Sequence, residues 1–253
     1  MIFSKVGNLI LNFIYPPKCI FCRTLLPLDA TEFICPNCKK DYKGLKKELC
    51  CKRCGKPVPS LGRKQLCYNC LTETHFYYKR IISAFSYDGS VKSSLMRYKD
   101  YPTNKYSQIY AKYLFDIFQK EYSDINFDFI AAVPADKNKS FRRTFDPVTL
   151  LCNDFSALSK IPFEKNVLWK TRKTQKQSNL SYSERQTNLL NSIKADSKKA
   201  EGKTVLLIDD VCTTIATVSE CSKALKRAGA KNVYAITLCT TLKNKIIGKD
   251  YNK

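Results

Sequence analysis

The chain has 253 residues, with 44 Lys and Arg against 22 Asp and Glu, one His and a net charge of +22. That length suits one large or two modest domains, each with its own core. No apolar run approaches the ~20 residues that span a bilayer, so an integral membrane protein is not expected, and the positive balance favours polyanionic partners over acidic-protein chemistry. A Lys-rich solvated surface is the competing reading of the same charge.

The first apolar run, Val6–Tyr15, is followed by Pro16-Pro17-Lys18-Cys19 rather than by a small-residue cleavage site. It reads as an amphipathic helix packing on its own domain, and the chain is expected to be cytoplasmic. Nine of the 13 cysteines then fall between Cys19 and Cys70. They form four CxxC pairs, Cys19/Cys22, Cys35/Cys38, Cys51/Cys54 and Cys67/Cys70, with Cys50 left over. The pattern C-x2-C-x12-C-x2-C occurs twice with identical spacing, the signature of two four-thiolate metal sites.

Zinc with four thiolates has no open position, so its role would be structural. Sequential pairing of the cysteines is simplest; cross-braced pairing and a single-zinc arrangement stay open. Disulfides are disfavoured in a reducing compartment, and an iron–sulfur cluster ranks lower. Ten Lys and Arg lie between Lys39 and Lys64 against Asp41 and Glu48. Lys39, Lys40, Lys52 and Arg53 are therefore candidate phosphate-backbone contacts, unless they are only the exposed side of a ribbon too small to have an inside. His75, the lone histidine, reads as a surface or packing residue rather than a spare ligand.

From Arg80 onward the pattern alternates. Ile81–Tyr87 reads as a strand, Val91–Lys99 and Tyr106–Gln119 as helices, and Phe127–Val133 as a strand ended by Pro134. A basic loop carrying Lys137, Lys139, Arg142 and Arg143 precedes a helix over Pro147–Leu158. Val167–Trp169 is a short strand followed by the polar segment Lys170–Glu184. Lys203–Ile208 reads as a buried parallel strand ending in Asp209 and Asp210. Small hydroxyl residues and a helix over Ser219–Ala228 come next, then a last strand over Val233–Cys239. Alternating strands and helices predict an α/β fold with a mainly parallel sheet. The chain divides into a ribbon module over 1–79 and an α/β domain over 80–253. A strand ending in acids, a hydroxyl turn and a helix N-terminus suit a sugar phosphate. Cys212 has no visible base and reads as a buried filler. Aromatics between basic residues, at 76–80 and 98–101, offer stacking surfaces for bases or ordinary core.

Over Ile81–Thr241 the chain resembles type I phosphoribosyltransferases, and with its ribbons the whole chain resembles the ComF family of competence-associated proteins. The matches run in order: the CxxC pairs, Tyr87-x-Gly89, Lys99, Val133-Pro134, Arg143 with Phe145, Thr174…Gln177-Ser178-x-Leu180…Arg185-x-x-Asn188, and Leu207–Val211. The resemblance implies that Asp209 and Asp210 take the ribose hydroxyls of phosphoribosyl pyrophosphate (PRPP). Thr213, Thr214, Ala216 and Thr217 would cradle its 5′-phosphate. The loop with Ala135 and Lys137 would meet the pyrophosphate with Mg²⁺, and Arg142 and Arg143 would join the basic surface. Two departures stand out. Ile215 replaces the turn's usual Gly, a strain expected to cost roughly 1–3 kcal/mol, or roughly 5- to 150-fold in affinity. Arg143-Thr144-Phe145-Asp146-Pro147 replaces Arg-Gly-Phe-Asn-Gln. The expectation is therefore single-stranded DNA handling during natural transformation, together with DNA-uptake components that could bring it to the inner membrane face, and a PRPP-type pocket of weak or absent turnover. The alternative is an active transferase acting on an unidentified base or amine.

Overall fold

The computed structural model describes residues 12–42, 49–58, 65–73, 75–135, 146–172, 190–213 and 215–241. Two short helices, α1 (Pro36–Asp41) and α2 (Tyr68–Thr72), each carry the second cysteine pair of a ribbon. The α/β domain runs β1 (Ile81–Ser86), α3 (Gly89–Asp100), α4 (Asn104–Glu121), β2 (Phe129–Ala132), α5 (Pro147–Ser159), β3 (Leu168–Lys170), β4 (Ile193–Ala195), α6 (Ser197–Ala200), β5 (Thr204–Cys212), α7 (Ala216–Arg227) and β6 (Asn232–Thr240).

The main sheet has the order β1-β6-β5-β2 and is parallel throughout. Both of its faces are covered, which is why Val205–Ile208 is a continuous aliphatic run with every side chain buried. One face packs on α3, α4 and α5 through Leu95, Leu114, Leu151 and Phe155. The other packs on α7 through Val218, Cys221 and Leu225. A parallel bridge from Ile130 to Phe163 extends the sheet beyond β2.

Two expectations about the strands change. The strand read at Val167–Trp169 forms as β3, but it pairs antiparallel with β4 in a separate two-stranded sheet. The partner is only three residues long and stands beyond the long polar segment, so no periodicity marks it. The second change concerns the acids. Asp209 and Asp210 lie inside β5, which stays paired with β6 as far as Cys212 and Thr240. The sheet does end there on the other side: β2 is paired only to Ile208, and Pro134, lacking an N–H, cannot extend the ladder. The acids thus stand where β2 has turned away and one flank of β5 is uncovered.

Neither ribbon is a loose appendage. In the first, Phe21 is buried with its ring 5.9 Å from Phe85 and 6.2 Å from Tyr110 and Tyr113. Arg97 of α3 donates to the carbonyls of Ile20 and Phe21 at 2.7 and 3.0 Å. In the second, the carbonyl of Arg53 accepts from the Ile81 N–H at 2.8 Å, tying the knuckle to the start of β1. Gly55 turns there at φ +66°, and a Cβ on it would lie 2.5 Å from the Ile81 carbonyl oxygen. That contact is backbone against backbone and cannot relax by a rotamer change. Gly55→Ala is therefore expected to destabilise the protein by about 2–4 kcal/mol, summing left-handed strain and overlap. Chemical denaturation would show it; an unchanged midpoint would mean that the knuckle does not seat on β1.

Candidate functional site

The cysteines settle into two sequential sets. Cys19, Cys22, Cys35 and Cys38 form one and Cys51, Cys54, Cys67 and Cys70 the other, with the four sulfurs of each set within 4.8 Å of one another. Cross-braced pairing is excluded. Each first pair sits on a tight knuckle. Arg23 N–H returns to the Cys19 carbonyl and Gly55 N–H to the Cys51 carbonyl, and both residues have positive φ. Each second pair opens a helix, with Cys35 and Cys67 at the N-caps. Thiolates converging from a knuckle and a helix start, buried but for Cys22 and the half-buried Cys67, fit structural zinc and leave no position for a reacting water. His75 is exposed and belongs to neither set.

The second centre lies at the carboxyl ends of β2 and β5. The chain leaves β2 into α5 on one face and leaves β5 into α7 on the other, so their ends flank a topological switch point, where α/β sheets hold ligands. Asp209, Asp210, Thr213, Ala216, Thr217 and Ala135 all gather at this edge. Thr214, Lys137, Arg142 and Arg143 lie outside the described residues. The α7 N-cap has no side-chain hydrogen bond and its first turn has no acid, so among the described residues no side chain competes with an anion for its leading amides. Thr241 Oγ1 donates to the Thr213 carbonyl at 3.2 Å and steadies the turn from β6.

The acids are not equivalent. Lys99 of α3 reaches Asp210, with Nζ 2.8 Å from Oδ2. Burial works against the Lys99 charge, but Asp210 and then Asp209 more than offset it and hold its pKa above the usual value. Asp209 accepts from the Asp210 N–H at 2.8 Å. Burial, and next the Asp210 charge, push its carboxyl up to about 7. A folded-state pKa raised this way favours the protonated acid. Its contribution to stability is full below the unfolded value near ~4 and is lost as pH rises through about 7. The unliganded protein should therefore lose melting temperature from pH ~5 to ~8, and Asp209→Asn should flatten that part of the curve in calorimetry. A wild-type slope retained in the variant would place the titration elsewhere.

The role of Lys99 is the main residue role that sequence reading missed. Its place among the family matches was the available signal, but only the fold shows that α3 carries it to Asp210. The strain expected at Ile215 is absent. Its backbone lies at φ −67°, ψ −9°, open to any residue, and its side chain packs inward. Asp146 and Pro147 are also explained. Asp146 caps α5 by accepting from the Thr149 N–H at 2.9 Å, with Pro147 in the first turn. Cys212 is fully buried, and burial pushes its thiol up to about 12, as a filler rather than a nucleophile.

The proposed nucleic-acid residues divide between the ribbons. Lys39 and Lys40 lie on α1, with Lys39 paired to Glu32 at 2.6 Å. Lys52 is exposed on the second knuckle, and Arg53 lies 4.3 Å over the Phe76 ring. Of the aromatics flagged for stacking, Tyr78 and Tyr98 are core, while Tyr77 and Tyr101 are exposed.

A double zinc ribbon domain model matches residues 10–71, and a phosphoribosyl transferase domain model matches residues 159–251. The chain is 27% identical over 233 residues to the DNA utilization protein YhgH of Salmonella typhimurium, covering 90% of this chain and 98% of that protein. It is 27% identical over 221 residues to competence protein F of Haemophilus influenzae, covering 85% and 93%. With competence protein ComFC of Bacillus subtilis it shares 26% over 221 residues, covering 85% and 88%. Among solved structures, the glutamine PRPP amidotransferase of B. subtilis aligns at a TM-score of 0.38 and 18% identity, over 56% of this chain and 30% of that one. Among the described residues, no helix is long and apolar enough to cross a membrane.

Proposed function

The chain belongs to the ComF family, a double zinc ribbon joined to a phosphoribosyltransferase-type domain, and from that premise we propose that it is a cytoplasmic protein that handles single-stranded DNA during natural transformation. The observation that carries this reading is the near end-to-end similarity to two competence proteins and a DNA utilization protein. A net charge of +22 suits that partner. Lys40 and Lys52, both exposed, supply cations for the strand, and exposed Tyr77 beside Lys223 supplies a stacking face. Components of a DNA-uptake machinery would deliver the strand and hold the protein near the inner membrane face.

Within this reading the carboxyl edge of the sheet is a PRPP-type pocket. Mg²⁺, when bound with the pyrophosphate, would neutralise the leaving group. Asp209 and Asp210 would accept from ribose hydroxyls, Lys99 would hold the Asp210 carboxylate in place, and the leading amides of α7 with Thr213 and Thr217 would take the 5′-phosphate. One observation favours the second reading, a working transferase: Ile215 imposes no backbone strain on the turn.

One experiment addresses both readings. Affinity for a labelled oligo-dT should fall steeply with salt, at a slope of roughly 0.7 per neutralised phosphate in log–log form. Lys40→Glu/Lys52→Glu should lower that slope by about 1–2. A flat salt response would remove DNA from the proposal. PRPP with Mg²⁺ should raise the melting temperature in the same preparation, and no shift at millimolar ligand would remove the pocket.

A further inference from the structure

Ile215 looks like the weak point of the turn as sequence, and the structure gives it a different task. It stands immediately before α7, and its carbonyl accepts from the Ser219 N–H at 2.8 Å, closing the first helical turn. Its side chain joins two apolar groups at once. One is the core under α7, with Val218 and Ile81; the other consists of Cys51, Cys54 and Cys70 of the second ribbon, with Leu66 and Phe76. A Gly at this position would reach neither.

Further contacts bind the same two parts. Tyr78 is buried with its ring 5.6 Å from that of Phe76. Its hydroxyl has no hydrogen-bond partner among the described residues, and its electrostatic neighbours are Cys70, Cys54 and Cys212. A buried hydroxyl is costly unless it can donate, and a metal-bound thiolate is an acceptor of the right kind. On the other side, Arg53 and Gly55 of the same knuckle seat on Ile81.

We propose that the second ribbon is a structural part of the sugar-phosphate turn: Ile215 is a positioning residue that keys the start of α7 into the four-cysteine cluster, so metal loading there and anion binding at the turn strengthen each other. Because linkage is reciprocal, the ligand must tighten the metal by the factor with which the metal tightens the ligand. The first ribbon, which buries Phe21 on the opposite face of the sheet, is outside this coupling. The ligand half of the proposal rests on the PRPP reading above.

The test follows zinc release from the intact, zinc-loaded chain to a chromophoric chelator. Two phases are expected, one per ribbon. Ile215→Ala should speed one phase several-fold and leave the other unchanged, with Ile215→Val restoring most of the loss. PRPP with Mg²⁺ should slow that same phase in wild type and have no effect on it in Ile215→Ala. Equal release from wild type and Ile215→Ala in both phases overturns the keying. Binding of PRPP to wild type, seen as a thermal shift, without slowed release overturns the linkage. If wild type binds no PRPP at all, the pocket reading fails, and the ligand-free comparison still decides the keying. Should Ile215→Ala not fold, Leu66→Ala probes the same apolar contact from the ribbon side.

Discussion

Cys19→Ser is expected to unfold far more than a ribbon. Metal binding contributes about 10–16 kcal/mol to small zinc modules, against a net stability of about 5–15 kcal/mol for a whole domain. Cys19 is fully buried, and it belongs to the same apolar group as Ile82, Phe85 and Leu95 of the α/β domain. With its ligand set broken, the knuckle that presents Ile20 and Phe21 loses its shape. Arg97 is then left with no carbonyls to hold, and a hole opens beside Phe85, Tyr110 and Tyr113. A loss of only ~4 kcal/mol of this would lower the melting temperature by roughly 8–16 °C for a chain of this size. Zinc content and circular-dichroism melts should fall together in the variant. A chain that keeps its melting temperature with one zinc fewer would show the first ribbon to be separable.

The second large effect is expected at Lys99. Removing one partner of a fully buried ion pair costs about 3–5 kcal/mol because the other charge is stranded. Here the Lys99 and Asp210 side chains are 30% and 17% exposed, so about 2 kcal/mol is the better figure for Lys99→Met. The loss should grow as pH rises through about 7, where Asp209 ionises beside an Asp210 that has lost its Lys99 partner. Lys99→Met/Asp210→Asn should recover most of it, and the double-mutant cycle isolates the pair. The single variant should also lose the PRPP thermal shift, since Asp210 would then lose the α3 contact that positions it. A single variant as stable as wild type at pH ~8 would show that the ion pair contributes nothing to the fold.

Much of the architecture was readable in the sequence because the physics is local. The CxxC repeat marks two four-thiolate metal sites, and the aliphatic run Val205–Ile208 admits few fates other than a buried strand. Helices α3, α4 and α5 differ from their predicted limits by at most two residues at either end. What was not readable is tertiary. Nothing in three residues at Ile193–Ala195 announces a strand until β3 is beside them. Lys99 becomes part of the acid centre only because α3 crosses above the end of β5. The misjudgement of Ile215 has the same origin. A rule about Gly in a turn treats the turn alone, whereas here a ribbon lies ready to receive the branched side chain.

The strand order has a consequence for biosynthesis. Among the described residues β1 pairs with β6 and with no other strand, and Asn232 lies 151 positions after Ile81. At ~5–20 residues per second, the ribosome needs roughly 8–30 s to make that stretch. Throughout this interval both ribbons can load metal, yet the strand against which they seat has no partner. The nascent chain thus carries finished knuckles seated on a strand, β1, whose sheet waits for its last member. A translation product stopped before Asn232 would hold zinc and still be marked for proteolysis.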